Sequence, residues 1–180
     1  MVRKIVKSGN PILRKISKPV GKIDAKTKEL IRDLKDTLAV QKDPEGVGLA
    51  APQIGKNLRV FAMSYNNFER IVINPEIVKP ERKTIKKSSD KTKKKKNEIL
   101  EGCLSLPNYY GPLKRIPAVT IRYLNEKSET VTETFADFYA QIVMHEIDHL
   151  NGIIFLDRLL EQKKPLFKLD GKKWEEVELS

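Results

Sequence analysis

The sequence predicts an α+β chain, and three observations carry that reading. Two stretches repeat apolar residues at helical spacing, one over residues 24–40 and one over 138–150. Around them lie short runs rich in Val, Ile, Thr and Tyr, and the run at 118–123 alternates as a half-buried antiparallel strand does. The length of 180 residues, with 39% hydrophobic against 33% charged, describes a polar but globular chain that can bury one real core, so a single domain over 1–180 is expected.

Taken in order, residues 1–22 form an extended lead in which Pro11, Pro19 and Gly21 break any long helix and Ile5, Ile12, Leu13 and Ile16 pack locally. Asp24 is an N-cap, and Leu30, Ile31, Leu34 and Leu38 give the stripe of one N-terminal helix ending near Val40. After a turn at Asp43-Pro44 comes GVGLAAPQIG, residues 46–55. Gly46 and Gly48 remove side chains there and suit close approach of a backbone or a ligand. The segment lacks the lysine and spacing of a phosphate loop. Strands are expected over Arg59–Met63 and Arg70–Ile77, the second ending near Asn74-Pro75. Residues 79–97 then carry ten Lys or Arg against Glu81 and Asp90, a local charge of +8 out of a net +11. So charged a stretch cannot offset its ordering entropy by burial, and it reads as a mobile insertion. Strands follow over Ala118–Tyr123 and Thr130–Thr134. Beyond the second helix, Ile153–Leu160 is apolar, with Asp157 and Arg158 expected to pair structurally. Leu166–Leu169 and Trp174–Leu179 flank Asp170-Gly171 as a hairpin, with Trp174 as a packing anchor.

The chemistry is concentrated in QIVMHEIDHLNG, residues 141–152, which hold both histidines of the chain. On a helix, His145 and His149 stack on one face and can aim at a single metal ion, and Glu146 sits beside it as general base on a water. Phe138 and Ile142 continue that face, and Asn151-Gly152 is a C-terminal stop. An ordinary amphipathic helix would not need its only two histidines at this spacing. Both fall where a buried imidazole needs a partner. A catalytic site needs a third protein ligand, and the lone Cys103, on a strand at EGCLSLP, supplies a thiolate. Glu101, on the same strand face, is a second ligand or a structural carboxylate, with Lys114 or Arg115 to neutralise it.

A single cysteine favours a reducing compartment, and no stretch approaches membrane-spanning length, so an intracellular, cytoplasmic protein without membrane contact is expected. With the lysine-rich insertion set aside the chain is only +3; most such runs are simply solvated, and RNA or ribosome contact is the second reading of that segment.

Three segments in order, GVGLAAPQ at 46–53, EGCLS at 101–105 and HEIDHLNG at 145–152, closely resemble the motifs of the peptide deformylases. The resemblance implies antiparallel β-sheets packed around a central metal-binding helix. It implies hydrolytic removal of the N-formyl group from nascent polypeptides that begin with formyl-methionine. Carried onto matching positions, it implies Cys103, His145 and His149 as metal ligands, Glu146 as acid and base, and Gln53 with the backbone N–H of Leu104 as oxyanion donors. Gly48 would lie along the substrate backbone. One divalent ion per chain is implied, Fe(II) favoured, with Zn, Ni or Co compatible with the donor set. Since many N-termini must be accepted, binding is expected through main-chain pairing with the glycine segment, plus an apolar pocket for methionine. Val47, Ile99 and Ile142, adjacent to the three motifs, are its candidate walls. A monomer is the default. The lysine-rich insertion and the hairpin-like C-terminus depart from the plain pattern. A general zinc peptidase and a metal-bound RNA module are the rival readings. The upstream Cys ligand weighs against the first, Glu146 and Gln53 against the second.

Overall fold

The computed structural model describes residues 1–42, 45–78 and 100–178. The Asp43-Pro44 turn, the lysine-rich insertion, Ile99 and the end of the last expected strand lie outside the described residues.

Strands with apolar side chains on both faces decide the architecture. A five-stranded antiparallel sheet has the order β1 (Gly48–Ala50), β2 (Val60–Tyr65), β3 (Phe68–Val78), β6 (Ala118–Leu124), β7 (Thr130–Ala136). On β2, Phe61 and Met63 point to one core while Val60 and Ala62 point to another. On β3, Val72 joins the first set, Ile71 and Ile73 the second. Each face therefore needs a cover. Helix α1 (Ala25–Ala39) seals one with Leu30, Ile31, Leu34 and Leu38, and α2 (Asp137–Leu150) seals the other with Ile142, Val143, Ile147 and Leu150. A second sheet, β4 (Glu101–Cys103), β5 (Leu106–Gly111), β8 (Leu166–Asp170), β9 (Lys173–Val177), packs a third core of Cys103, Leu113 and Leu166 against Phe155 and Leu159 of α3 (Phe155–Glu161). The α+β arrangement around a central helix is as expected.

Local chemistry sets the ends. Asp24 caps α1 by accepting from the Thr27 N–H at 2.9 Å. Asn66 and Asn67, both at positive φ, form the tight turn between β2 and β3. Asn125 accepts from the N–H groups of Lys127 and Glu129 in the β6–β7 turn. Helix α2 stops at Gly152, φ +74°, where a Cβ would stand 2.6 Å from the Arg14 carbonyl oxygen, so only glycine lets the N-terminal lead cross the helix end.

Three expectations change. β3 does not end at Asn74-Pro75 but passes through it as a bulge, where the pairing with β6 shifts register. Asn74 stands at φ +52° and its side chain exchanges two 2.8 Å hydrogen bonds with the Val20 backbone, which fixes the bulge. Asp157 and Arg158 do not pair with each other. Asp157 receives Arg14 and the Ile154 N–H, and Arg158 turns to Asp148 and Glu161. Residues 155–161 are a helix rather than a featureless apolar stretch, and β1 and β5 were not anticipated as strands. Trp174 does anchor the C-terminal hairpin, edge-on to Tyr110 at 5.4 Å, although it stays half exposed.

Candidate active site

Three donor atoms converge where β4 faces α2. Cys103, at the end of β4, places Sγ 3.3 Å from His149 Nε2, and that nitrogen is 3.2 Å from His145 Nε2. All three side chains are buried, and their ligand atoms lie within 4.8 Å of one another. Burial alone would push the Cys103 thiol up, but the positive charge and hydrogen bonding of His149 and His145 outweigh it and hold the group well below its ordinary range. Burial likewise pulls His145 down, and Cys103 and Glu101 outweigh it and raise it. A thiolate and two ring nitrogens facing one point form a donor set that one divalent cation satisfies together. The set fits a borderline-soft transition metal with one thiolate and two imidazoles.

Around this centre, Glu101 accepts from His145 Nδ1 at 2.8 Å, so that ring presents Nε2 inward. Burial would raise the Glu101 carboxyl, but Arg115 and His145 outweigh it and hold it at about 2. Of the roles open to Glu101, the structural carboxylate is the one this geometry fits, and Arg115 rather than Lys114 neutralises it through two hydrogen bonds.

Glu146 lies on the same helix with its carboxyl buried and Oε2 without a hydrogen-bond partner among the described residues. Burial pushes its carboxyl up to about 7, against the lowering charge of His145 and His149. A proton acceptor near neutrality suits a general base. Gly48 of β1 makes room for it: a Cβ there would stand 2.9 Å from Glu146 Cδ.

Gln53 is buried and held at both ends of its amide. Its Oε1 accepts from the Ala50 N–H at 2.8 Å, and Nε2 donates to Ser105 Oγ at 3.2 Å and faces Cys103 Sγ at 3.6 Å. The amide donor is thereby aimed at the metal-ligand cluster.

These groups open into a cavity of about 400 Å³. Val47, Gly48, Gln53, Cys103, Leu104, Ile142, His145 and Glu146 all line it, and Ile99 is outside the described residues. Sequence reasoning missed Tyr65, Tyr109, Tyr110 and Gln141 among the walls. It also missed Ser105, although Ser105 stands inside a quoted motif, and Asp148, whose position between the two histidines was the available signal.

Residues 2–165 match the polypeptide deformylase family. A peptide deformylase of Pseudothermotoga lettingae is 42% identical over 165 residues, covering 91% of this chain and 86% of its own. The crystal structure of the Thermotoga maritima peptide deformylase superposes with a TM-score of 0.74 at 35% identity, covering 88% of this chain and 97% of that one. A class I type b peptide deformylase of Acinetobacter baumannii, with Met-Ala-Ser bound, gives 0.71 at 30% identity, covering 88% and 98%.

Proposed function

The chain belongs to the polypeptide deformylase family, metal-dependent hydrolases that remove the N-formyl group from nascent polypeptides, and from that premise we propose how its own residues divide the work. Cys103, His145 and His149 hold the metal, Fe(II) in the cell, with Zn, Ni or Co able to replace it. When bound, the ion supplies a Lewis acid and makes water nucleophilic near neutral pH. Glu146 takes the proton from the attacking water and delivers it to the departing amine nitrogen, which otherwise leaves poorly. Gln53 Nε2 and the Leu104 N–H donate to the formyl oxygen as negative charge grows on it. Donors fixed beforehand favour the transition state over the ground state.

Residues 1–180 act as one catalytic domain. The substrate binds extended, its backbone paired with the β1 edge at Gly48, and its methionine packs against Val47 and Ile142, with Ile99 as a further wall. The Met-Ala-Ser held by the Acinetobacter baumannii relative has the chemistry of such a product peptide. The enzyme works as a cytoplasmic monomer, and its lysine-rich insertion supports contact with ribosomal RNA. Among the described residues no helix is long and apolar enough to cross a membrane.

The observation that carries this division is the convergence of one thiolate and two imidazoles beside Glu146, whose Oε2 has no partner among the described residues. Its test is formate release from formyl-Met-Ala-Ser under anaerobic conditions, wild type beside Glu146→Gln, with metal measured in both. The variant is expected to keep its metal and lose about 10²–10⁴-fold in rate. A metal-loaded variant that turns over at the wild-type rate would remove Glu146 from the chemistry.

A further inference from the structure

We propose that Arg115 is a positioning residue for the metal centre, locking the strand that carries Cys103 to the helix that carries both histidines. The inference rests on the ligand set proposed above.

The guanidinium is shared between two elements. Toward β4, Arg115 Nε and Nη2 donate to Glu101 Oε2 and Oε1 at 2.9 and 2.6 Å. Toward α2, Nη1 donates to Asp148 Oδ2 at 2.7 Å. The side chains of Arg115, Glu101 and Asp148 are 8%, 4% and 8% exposed, so these are interior bonds shielded from water. Arg158 completes the charge balance by donating to Asp148 at 2.6 and 3.1 Å.

Each anchor stands next to a ligand. Glu101 is two residues before Cys103 on the same strand face, and Asp148 immediately precedes His149. Glu101 also passes the restraint to His145 through its Nδ1 at 2.8 Å. The main chain gives the Cys103 strand little hold of its own. β4 spans three residues and, among the described residues, lies at the edge of its sheet and pairs with β5 alone, with a register shift at Cys103. Across the gap to α2, the planar fork of Arg115 adds a second tie to the direct Glu101–His145 bond, and its geometry is specific. A lysine ammonium, a point charge on a flexible stem, cannot hold both carboxylates with the same directions. His149 has no comparable support, since its Nδ1 has no partner among the described residues. The Arg115 network therefore governs the relation of Cys103 to His145 above all.

The test uses Co(II) as the probe in wild type and Arg115→Lys, each prepared metal-free and reloaded. Affinity is read by competition with a chelator, and the thiolate-to-Co(II) absorption band reports how Cys103 engages the ion. Wild type is expected to bind one Co(II) per chain with that band. Its absence would overturn the ligand set itself, and this inference with it. Arg115→Lys is expected to bind about 10–100-fold more weakly, with a displaced or weakened band, while its circular dichroism stays native. Unchanged affinity and an unchanged band in a folded Arg115→Lys would overturn the inference alone. Should that variant not fold, Asp148→Asn keeps Arg115 and Glu101 and neutralises only the helix anchor. It is expected to weaken Co(II) in the same way, and wild-type affinity there would overturn the proposal. Failure of both variants to fold would mark the network as general scaffold and overturn it as well.

Discussion

A missing side chain does as much for this site as those present. Gly48 stands so close to Glu146 that a methyl group would collide with the carboxylate, 2.9 Å from its Cδ and 3.1 Å from its Cγ. Gly48→Ala is therefore expected to swing Glu146 away and lower formate release by the same order as removing the base, about 10²-fold or more, while metal content is unchanged. Formate assay with metal analysis checks this, and a fully active Gly48→Ala would mean that Glu146 has free space after all. The sequence reading gave Gly48 a different duty, along the substrate backbone, because a residue beside a glycine in space is invisible in one dimension. Cys103, His145 and His149 were legible because metal chemistry admits few donor types and spacings. Ser105 and Asp148 were not, since a hydroxyl or a carboxylate has too many ordinary uses to stand out.

At the scale of elements, the paired strands β6 and β7 carry a pH-dependent contact. Burial, then the hydrogen bond to Glu133, pushes the Tyr123 phenol up from 10.0 to about 12, and Arg70 holds Glu133 in place with two further bonds. A group whose folded value lies above its unfolded one contributes stability that is complete below the unfolded value and lost as pH rises through the folded one. Tyr123→Phe is expected to cost about 1 kcal/mol in denaturant unfolding near neutral pH. The gap from wild type should close between pH 10 and about 12, as the wild type alone loses this contribution. A gap that stays constant across that window would show that the phenol is not buried against Glu133. The long elements were legible: α1 from Asp24, α2 from its stripe, β2, β3, β6 and β7 from their residue types. Among the short ones, β4 and the β8–β9 hairpin were legible, and β1, β5 and α3 were not. β1 has three residues, α3 has seven, too few to display a period, and β5 contains Pro107 and Asn108, residue types that weaken a strand signal. These owe their form to neighbours. Pro75 misled in the other direction, because a bulge held by Asn74 and Val20 lets a strand continue where proline alone argues for its end.

At the scale of the molecule, the metal-ligand cluster joins β4 of one sheet to the helix that covers the other, and the strong positive charge is kept apart from it in sequence. No catalytic motif falls within residues 79–97, which hold +8 of the net +11. Deleting them is expected to leave kcat/KM on formyl-Met-Ala-Ser unchanged while abolishing salt-sensitive sedimentation with ribosomes. Lost activity on the small peptide would place the insertion in the catalytic machinery, and sedimentation that survives would remove its role in RNA contact. The layering around the central helix was legible through the three motifs and the family resemblance they carry. How β4 is tied to α2 was not, since the Arg115 bonds to Glu101 and Asp148 join residues far apart in sequence.

Among the described residues both β1 and β4 are sheet edges, and both border the same cavity. An edge that recognises backbone is satisfied only by a chain whose own N–H and C=O groups are uncommitted. On the proposed pose, the enzyme therefore tells young proteins from old ones by whether they have folded. An N-terminus still emerging can lend a strand, and one already tucked into its own structure has none to give. What limits the reaction in a cell is then the interval between synthesis and folding of the substrate, a clock set by the client rather than by the catalyst.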